Sequence, residues 1–142
     1  MIKLTEFVEF RLPAMQSDKK KKTRVLLVDD DDKILRFLAL KLKLFGYDLI
    51  TAANGSEGLS QLKSGNPDVV VLDILMPVMD GFEMLQQLRT FSTLPVIVLS
   101  AKADNADRAM ELGANDFLSK PFKPDELVDR IEAHLNHGGK PF

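Results

Sequence analysis

Reactive side chains stand directly after several short apolar runs of this sequence. Asp29 and Asp30 follow one run, Asp73 follows a second, Ser100 a third and Lys120 a fourth. If these runs are parallel β-strands, their carboxyl ends meet at one edge of a sheet, where ligands of such sheets bind. The sequence therefore predicts that three carboxylates, a hydroxyl and an amine gather at one site.

Carboxylates held close together raise one another's pKa values unless a positive charge lies among them. A Mg²⁺ ion satisfies this need, because it binds oxygen ligands and commonly combines one or two carboxylates with water and a phosphate oxygen. Lys120 would add a second positive charge, and Ser100 would offer a hydroxyl to an incoming oxyanion. Such a set suits phosphoryl transfer, with a carboxylate as the nucleophile that forms an acyl phosphate.

The elements that must position these groups alternate regularly from Thr23 onwards. Short apolar runs predict strands at Arg24–Val28, Asp48–Ala52, Val69–Leu72, Pro95–Leu99 and Asp116–Ser119. Amphipathic segments predict helices at Asp32–Leu44, Ser56–Lys63, Phe82–Arg89, Ala106–Leu112 and Pro124–Leu135. Strands that are apolar on both faces and alternate with helices predict a doubly wound α/β fold with a parallel sheet covered on both sides.

The chain divides into three parts on composition. Residues 23–136 form one domain, which suits a chain of 142 residues. Residues 1–22 are expected to be a flexible N-terminal extension, with Met15 as an alternative natural start, and residues 137–142 a loop-like tail. The four lysines at 19–22 favour a solvated linker, since a nucleic-acid or membrane patch has weak support without accompanying aromatic residues.

Bulk properties exclude several classes of function. The net charge of −2 gives no overall basic field for nucleic acid. The absence of cysteine excludes disulfides and thiol chemistry, and the two histidines, both near the C-terminus, argue against a histidine-rich metal site. No apolar run reaches the roughly 20 residues of a membrane helix, and no signal peptide is evident, so a cytoplasmic protein is expected.

The order of four motifs gives the chain from Arg24 to Leu135 a family resemblance. The motifs are VLLVDDDDKI (25–34), VVVLDILMPVMDGFEML (69–85), LPVIVLSA (94–101) and GANDFLSKPF (113–122). Together they resemble the receiver domain of two-component response regulators. The resemblance implies a flavodoxin-like five-stranded sheet of order 2-1-3-4-5 with five helices.

The resemblance also assigns roles to individual residues. It implies that Asp73 accepts phosphate from a sensor histidine kinase or phosphotransfer protein. Asp30 would bind Mg²⁺ directly with help from Asp29, and the backbone carbonyl of Leu75 would be a further ligand. Ser100 and Lys120 would meet the phosphoryl group, Phe117 would change rotamer with Ser100, and the peptide between Lys120 and Pro121 would be cis.

Departures from the family pattern affect lifetime and output. Leu75 gives an attacking water no hydrogen-bond partner, and it and Lys102 stand where the family controls water access, so slow loss of phosphate is expected. The 20 residues from Ser100 to Lys120 are fewer than usual, which points to a shortened helix 4 region.

A homodimer through helix 4, strand 5 and helix 5 is a possible output. Asp116, Glu126 and Arg130 match the positions of its salt bridges. Ala106 stands where a basic partner is expected, which weakens this interpretation.

Two other functions stay open on the sequence. A haloacid-dehalogenase-like phosphatase also uses an aspartate nucleophile, but Lys33 occupies the position where that family has Thr or Val. A binding module that works without phosphorylation is the other, although the intact Asp73 and Lys120 argue against it. Asp31 and Asp32 are expected to cap the first helix or to be solvated at its start, and His134 and His137 to be exposed tail residues.

Overall fold

The computed structural model describes residues 22–76 and 79–139, with side chains up to Leu135. Residues 1–21, and with them nearly all of the expected extension, lie outside the described residues. The strands are β1 Arg24–Val28, β2 Asp48–Ala52, β3 Val69–Asp73, β4 Val96–Ser100 and β5 Asp116–Ser119. The helices are α1 Asp32–Leu44, α2 Gly55–Gly65, α3 Gly81–Arg89, α4 Asn105–Glu111 and α5 Pro124–Gly139.

The five strands form one parallel sheet in the order β2-β1-β3-β4-β5, as predicted. The chain crosses from β1 outward to β2 and then back past β1 to β3. Val28 pairs with Leu72, so β1 and β3 end side by side at the point where strand order reverses. This point is where ligands bind in open parallel sheets.

Two apolar layers cover the sheet. On one face α2, α3 and α4 contribute the buried residues Leu62, Met84, Leu85, Leu88 and Ala109. On the other face α1 and α5 contribute the buried residues Leu35, Leu38, Leu42, Leu127 and Ile131. Because β1, β3 and β4 are buried along nearly their whole length, they are fixed from both sides. Asp73 and Ser100, predicted to follow these strands, are the last residues of β3 and β4.

Several element boundaries differ from the predictions for identifiable reasons. β4 begins at Val96 rather than Pro95, because proline has no amide hydrogen for the sheet. α2 begins at Gly55, where the Asn54 side chain accepts a hydrogen bond from the Glu57 amide at 2.8 Å. α5 continues to Gly139, so the expected loop after residue 136 is wrong for residues 137–139.

None of the helices in the described part of the chain is both long enough and apolar enough to cross a membrane.

Candidate functional site

Three carboxylates converge at the carboxyl ends of β1 and β3. Asp29 and Asp73 are buried, with 1% and 4% of their surfaces exposed, and Asp30 is exposed. One oxygen of each lies within 4.8 Å of the others. The prediction that the side chains of Asp29, Asp30 and Asp73 lie close together is therefore confirmed.

The amine of Lys120 lies between the two buried acids. Its Nζ is 3.5 Å from Asp29 Oδ2 and 3.5 Å from Asp73 Oδ1. The Lys120 amide donates to the Ser100 carbonyl at 2.9 Å, and the peptide to Pro121 is cis, as predicted. The end of β5 thus holds the lysine backbone against β4 while its side chain reaches across to β1 and β3.

Burial and like charge perturb the titration of Asp73. Desolvation, and then the negative charge of Asp29, raise the pKa of Asp73 to about 6, although Lys120 pulls it down. A single ammonium group does not compensate for this many clustered carboxylates. The carboxylate is still mostly ionised at neutral pH, as a nucleophile must be.

The donor set fits a hard divalent cation. Asp29 Oδ2 is buried and accepts no hydrogen bond among the described residues. Its 3.5 Å separation from Lys120 Nζ is an ion-pair distance without hydrogen-bond geometry. A buried acceptor without a donor is costly, and a cation beside Asp29, Asp30 and Asp73 would remove that cost.

Local sequence explains how the acids are held. Asp29 Oδ1 accepts from the Asp31 amide at 2.9 Å. Asp31 in turn caps α1 by accepting from the amides of Lys33 and Ile34 at 3.0 and 3.3 Å. The capping role expected for Asp31 is confirmed, and Asp32 in the first turn pairs with Arg36.

Gly81 allows the loop after β3 to fold closely against the strand end. A Cβ atom at this position would lie 2.6 Å from the Asp73 carbonyl oxygen and 2.6 Å from Ile74 Cα. The Gly81 amide donates to the Ile74 carbonyl at 2.9 Å. The Leu75 amide approaches Asp73 Oδ1 at 3.4 Å, and Leu75 itself is 47% exposed.

The Ser100 hydroxyl is hydrogen-bonded to the segment that follows β4. Its oxygen is fully buried and accepts from the Lys102 amide at 3.0 Å and from Asn105 Nδ2 at 3.1 Å. Phe117 is half-buried and packs against the layer formed by α2, α3 and α4. The sequence did not point to Asn105, since one amide residue at the start of a short helix carries no distinctive signal.

An apolar groove lies beside Lys120, and the sequence reading missed it. Its volume is about 440 Å³, and it is lined by Ile34, Phe37, Leu38, Ala101, Lys120, Pro121 and Phe122. We call it the α1 groove. Phe37 is 51% exposed, and Leu40 and Leu44 continue the exposed apolar stripe along α1. Large contiguous apolar patches on the surface of monomeric proteins often mark binding sites.

Polar side chains of the surface formed by α4, β5 and α5 pair with one another within the chain. Asp116 accepts from Arg130 at 2.5 Å and from His134 Nε2 at 2.9 Å. Glu126 accepts from the Lys123 amide at 2.8 Å. The expectation that His134 is an exposed tail residue is wrong, because α5 turns its partly buried ring onto β5. The side chain of His137 lies outside the described residues.

Comparison with known sequences identifies the family. Residues 25–132 match the family model of the response regulator receiver domain. A probable transcriptional regulator ycf27 of Porphyridium aerugineum is 45% identical over 84% of this chain and 50% of its own length. The alkaline phosphatase synthesis transcriptional regulatory protein PhoP of Bacillus subtilis is 40% identical over 79% of this chain and 48% of its own length. The chain thus spans about half the length of the curated relatives it matches.

Solved structures agree with this fold. The receiver domain of Francisella response regulator 1452 superposes with a TM-score of 0.78 at 37% identity, covering 82% of this chain and 99% of its own. The response regulator TrrA of Thermotoga maritima, in complex with Mg²⁺-BeF, gives a TM-score of 0.73 at 34% identity over 78% of this chain and 97% of its own. Sequence match, strand order and the acidic edge all agree, and the chain belongs to the receiver domains of two-component response regulators.

Proposed function

We propose that this receiver domain takes a phosphoryl group onto Asp73 from the phosphohistidine of a sensor histidine kinase or phosphotransfer protein. The observation that carries the proposal is the buried Asp73 carboxylate beside Asp29 and within 3.5 Å of Lys120 Nζ. A buried, ionised carboxylate in reach of an amine can attack phosphorus while the amine offsets the charge that accumulates.

The transfer exchanges one bond for another. A carboxylate oxygen of Asp73 forms a bond to phosphorus as the bond from phosphorus to the donor's imidazole nitrogen breaks, and the imidazole leaves with the electron pair. Lys120 then lies beside the acyl phosphate and pairs with a phosphoryl oxygen. Ser100 turns its hydroxyl toward another oxygen, and Phe117 repacks into the space that Ser100 leaves.

A magnesium ion is part of this proposal. Asp29, Asp30, Asp73 and the backbone carbonyl of Leu75 would hold it. When bound, it supplies positive charge to the transferring phosphoryl oxygens and lowers the repulsion among the carboxylates.

The α1 groove supports a protein donor. Its apolar wall beside Lys120 would give a kinase or phosphotransfer protein a docking surface next to the site. In this proposal the domain is a signalling switch of the cytoplasm rather than an enzyme that turns over an external substrate. Phosphorylation would change the surface of α4, β5 and α5, through which a homodimer could form. We assign nucleic-acid binding to no part of the described chain.

Phosphoramidate, a small donor with a phosphorus–nitrogen bond, tests the chemistry without a kinase. Incubated with Mg²⁺, the wild type should gain the mass of one phosphoryl group, and Asp73→Asn should gain none. A chelator should prevent the gain. Sustained release of phosphate from a simple phosphate ester would instead support the haloacid-dehalogenase-like alternative, and a wild type that never gains mass would support a binding module.

A further inference from the structure

The hydroxyl of Ser100 has no acceptor capacity left in this structure. A serine oxygen accepts two hydrogen bonds and donates one. The Lys102 amide fills one acceptor position at 3.0 Å, and Asn105 Nδ2 fills the other at 3.1 Å. Both donors come from the segment between β4 and the first turn of α4. The rotamer of Ser100 is thus set by this segment rather than by the acids.

Apart from this bond, the start of α4 is held by local backbone hydrogen bonds, from the Asn105 amide to the Lys102 carbonyl at 3.1 Å and from the Ala106 amide to the Ala103 carbonyl at 3.0 Å. Asp104, which precedes the helix, adopts a helical backbone conformation and makes no side-chain capping bond. The helix has only seven residues, and Ala109 is its buried residue. Ser100, by contrast, ends a fully buried strand. The bond from Asn105 to Ser100 therefore links a short, uncapped helix to the rigid sheet.

We propose that Asn105 is a positioning residue that retains Ser100 in its resting rotamer and ties the first turn of α4 to the state of Asp73. This inference rests on the proposed phosphorylation of Asp73. When Ser100 turns toward a phosphoryl oxygen, it leaves both donors, and the side chain of Asn105 loses its anchor. The first turn of α4 is then released, which carries the signal to the surface of α4, β5 and α5.

The released donors do not oppose the change strongly. Lys102 is exposed and Asn105 is only half-buried, so water can replace the lost acceptor at both. The resting state is favoured by the net value of each hydrogen bond, which is modest when water competes. Removing the Asn105 amide should therefore shift the equilibrium toward the turned rotamer, and a ligand that selects that rotamer should bind more tightly.

Beryllofluoride with Mg²⁺ is a suitable probe, because it mimics the phosphoryl group without covalent transfer. Titrated by amide NMR, Asn105→Ala should bind it about 2- to 10-fold more tightly than the wild type. Asp107→Ala is the matched control, since it removes an exposed side chain from the same short helix and should leave the affinity unchanged. An affinity for Asn105→Ala equal to or weaker than that of the control overturns the proposal.

A double-mutant cycle tests whether Asn105 acts through Ser100. In a Ser100→Ala background, Asn105→Ala should have no further effect on beryllofluoride affinity. The same gain with and without the serine hydroxyl would overturn the proposal. In the wild type, saturation with beryllofluoride should also move the Asn105 side-chain amide resonances to values typical of a solvated amide, and unmoved resonances would contradict the release.

Beryllofluoride binding distinguishes an error in the proposed function from an error in the role of Asn105. If the wild type does not bind beryllofluoride, or if Asp73→Asn binds it equally well, the proposed function itself is wrong. If the wild type binds, Asp73→Asn does not, and Asn105→Ala matches its control, only the role of Asn105 is wrong.

Discussion

Lys120 Nζ lies 3.5 Å from Asp73 Oδ1, although the two residues stand 47 positions apart in the chain, and Lys120 follows β5, which is not a neighbour of β3 in the sheet. The lysine reaches over the end of β4 to do so. This contact places the positive charge of β5 on the acid of β3, and it lowers a pKa that burial and Asp29 raise.

Removing this amine should therefore raise the pKa of Asp73 above about 6, since the compensating charge is lost. We expect Lys120→Ala to show that rise in a carboxyl-resolved NMR titration and to accept phosphate from phosphoramidate far more slowly. Lys123→Ala removes an exposed amine from the same region and should change neither property. An unshifted Asp73 titration in Lys120→Ala would contradict the assigned contact.

The raised pKa of Asp73 also predicts how stability depends on pH. Between about 3.8 and about 6 the folded state holds a proton that the unfolded state has lost, so the free energy of unfolding falls as pH rises through this window. Without Mg²⁺ the shift corresponds to at most about 3 kcal/mol at neutral pH. Asp73→Asn should recover part of this loss and flatten the pH profile. The prediction is refuted if the urea midpoints of the wild type and of Asp73→Asn change by the same amount between pH 4.5 and pH 7.5.

Gly81 should tolerate no side chain. A methyl group there meets backbone atoms at 2.6 Å, which cannot yield as a flexible side chain can. Gly81→Ala should lower the free energy of unfolding by about 1–3 kcal/mol and disturb phosphorylation at Asp73. Gly65→Ala is the control, because its methyl would meet only side-chain atoms, the movable end of Ile50 at 2.5 Å and Gln61 Oε1 at 3.5 Å. A Gly81→Ala protein as stable as that control would show that the loop is not packed as described.

The α1 groove should matter to a protein donor and not to a small one. Phe37→Asp places a charge on its apolar wall and should slow transfer from a cognate kinase at least 10-fold, the scale of an interface hot spot. Phosphorylation by phosphoramidate should not change. Phe91→Asp alters a similarly exposed phenylalanine just beyond the end of α3 and should leave both rates intact. Equal slowing with both donors would place the defect in the site instead.

The cluster around Asp116 should weaken association of the phosphorylated domain. Asp116 already pairs with Arg130 and His134 of its own chain, so a bridge to a second copy must compete with these contacts. His134→Ala should free one carboxylate oxygen and strengthen dimerisation of the beryllofluoride-loaded domain. Sedimentation velocity measures this directly, and an unchanged dissociation constant would mean that the histidine does not compete.

The sequence was most informative where chemistry follows directly from strand order. Asp29, Asp73 and Lys120 each come after an apolar run, and a parallel sheet brings such positions to one edge whatever the details of packing. The strand order itself was predicted through the resemblance of the four motifs to receiver domains. Each of these predictions depends on backbone topology alone.

What the sequence left open depends on side-chain rotamers and on packing between helices. Whether Ser100 faces the acids or the loop is decided by hydrogen bonds of about 1 kcal/mol from Asn105 and Lys102. The contact of His134 with Asp116 joins α5 to β5, and the pattern of neither segment alone indicates it. Phe37 of the α1 groove is exposed, but its position in the apolar pattern of α1 does not distinguish it from a core residue of an amphipathic helix.

The measurement that tests the central claim most directly is the chemical identity of the phosphorylated residue. After reaction with phosphoramidate and Mg²⁺, the protein is treated with hydroxylamine, which cleaves an acyl phosphate and leaves a hydroxamate on the carboxyl carbon. Peptide mapping should find that hydroxamate at Asp73 alone. A hydroxylamine-stable phosphoryl group on Ser100, or a hydroxamate at Asp29 or Asp30 instead, would contradict the account.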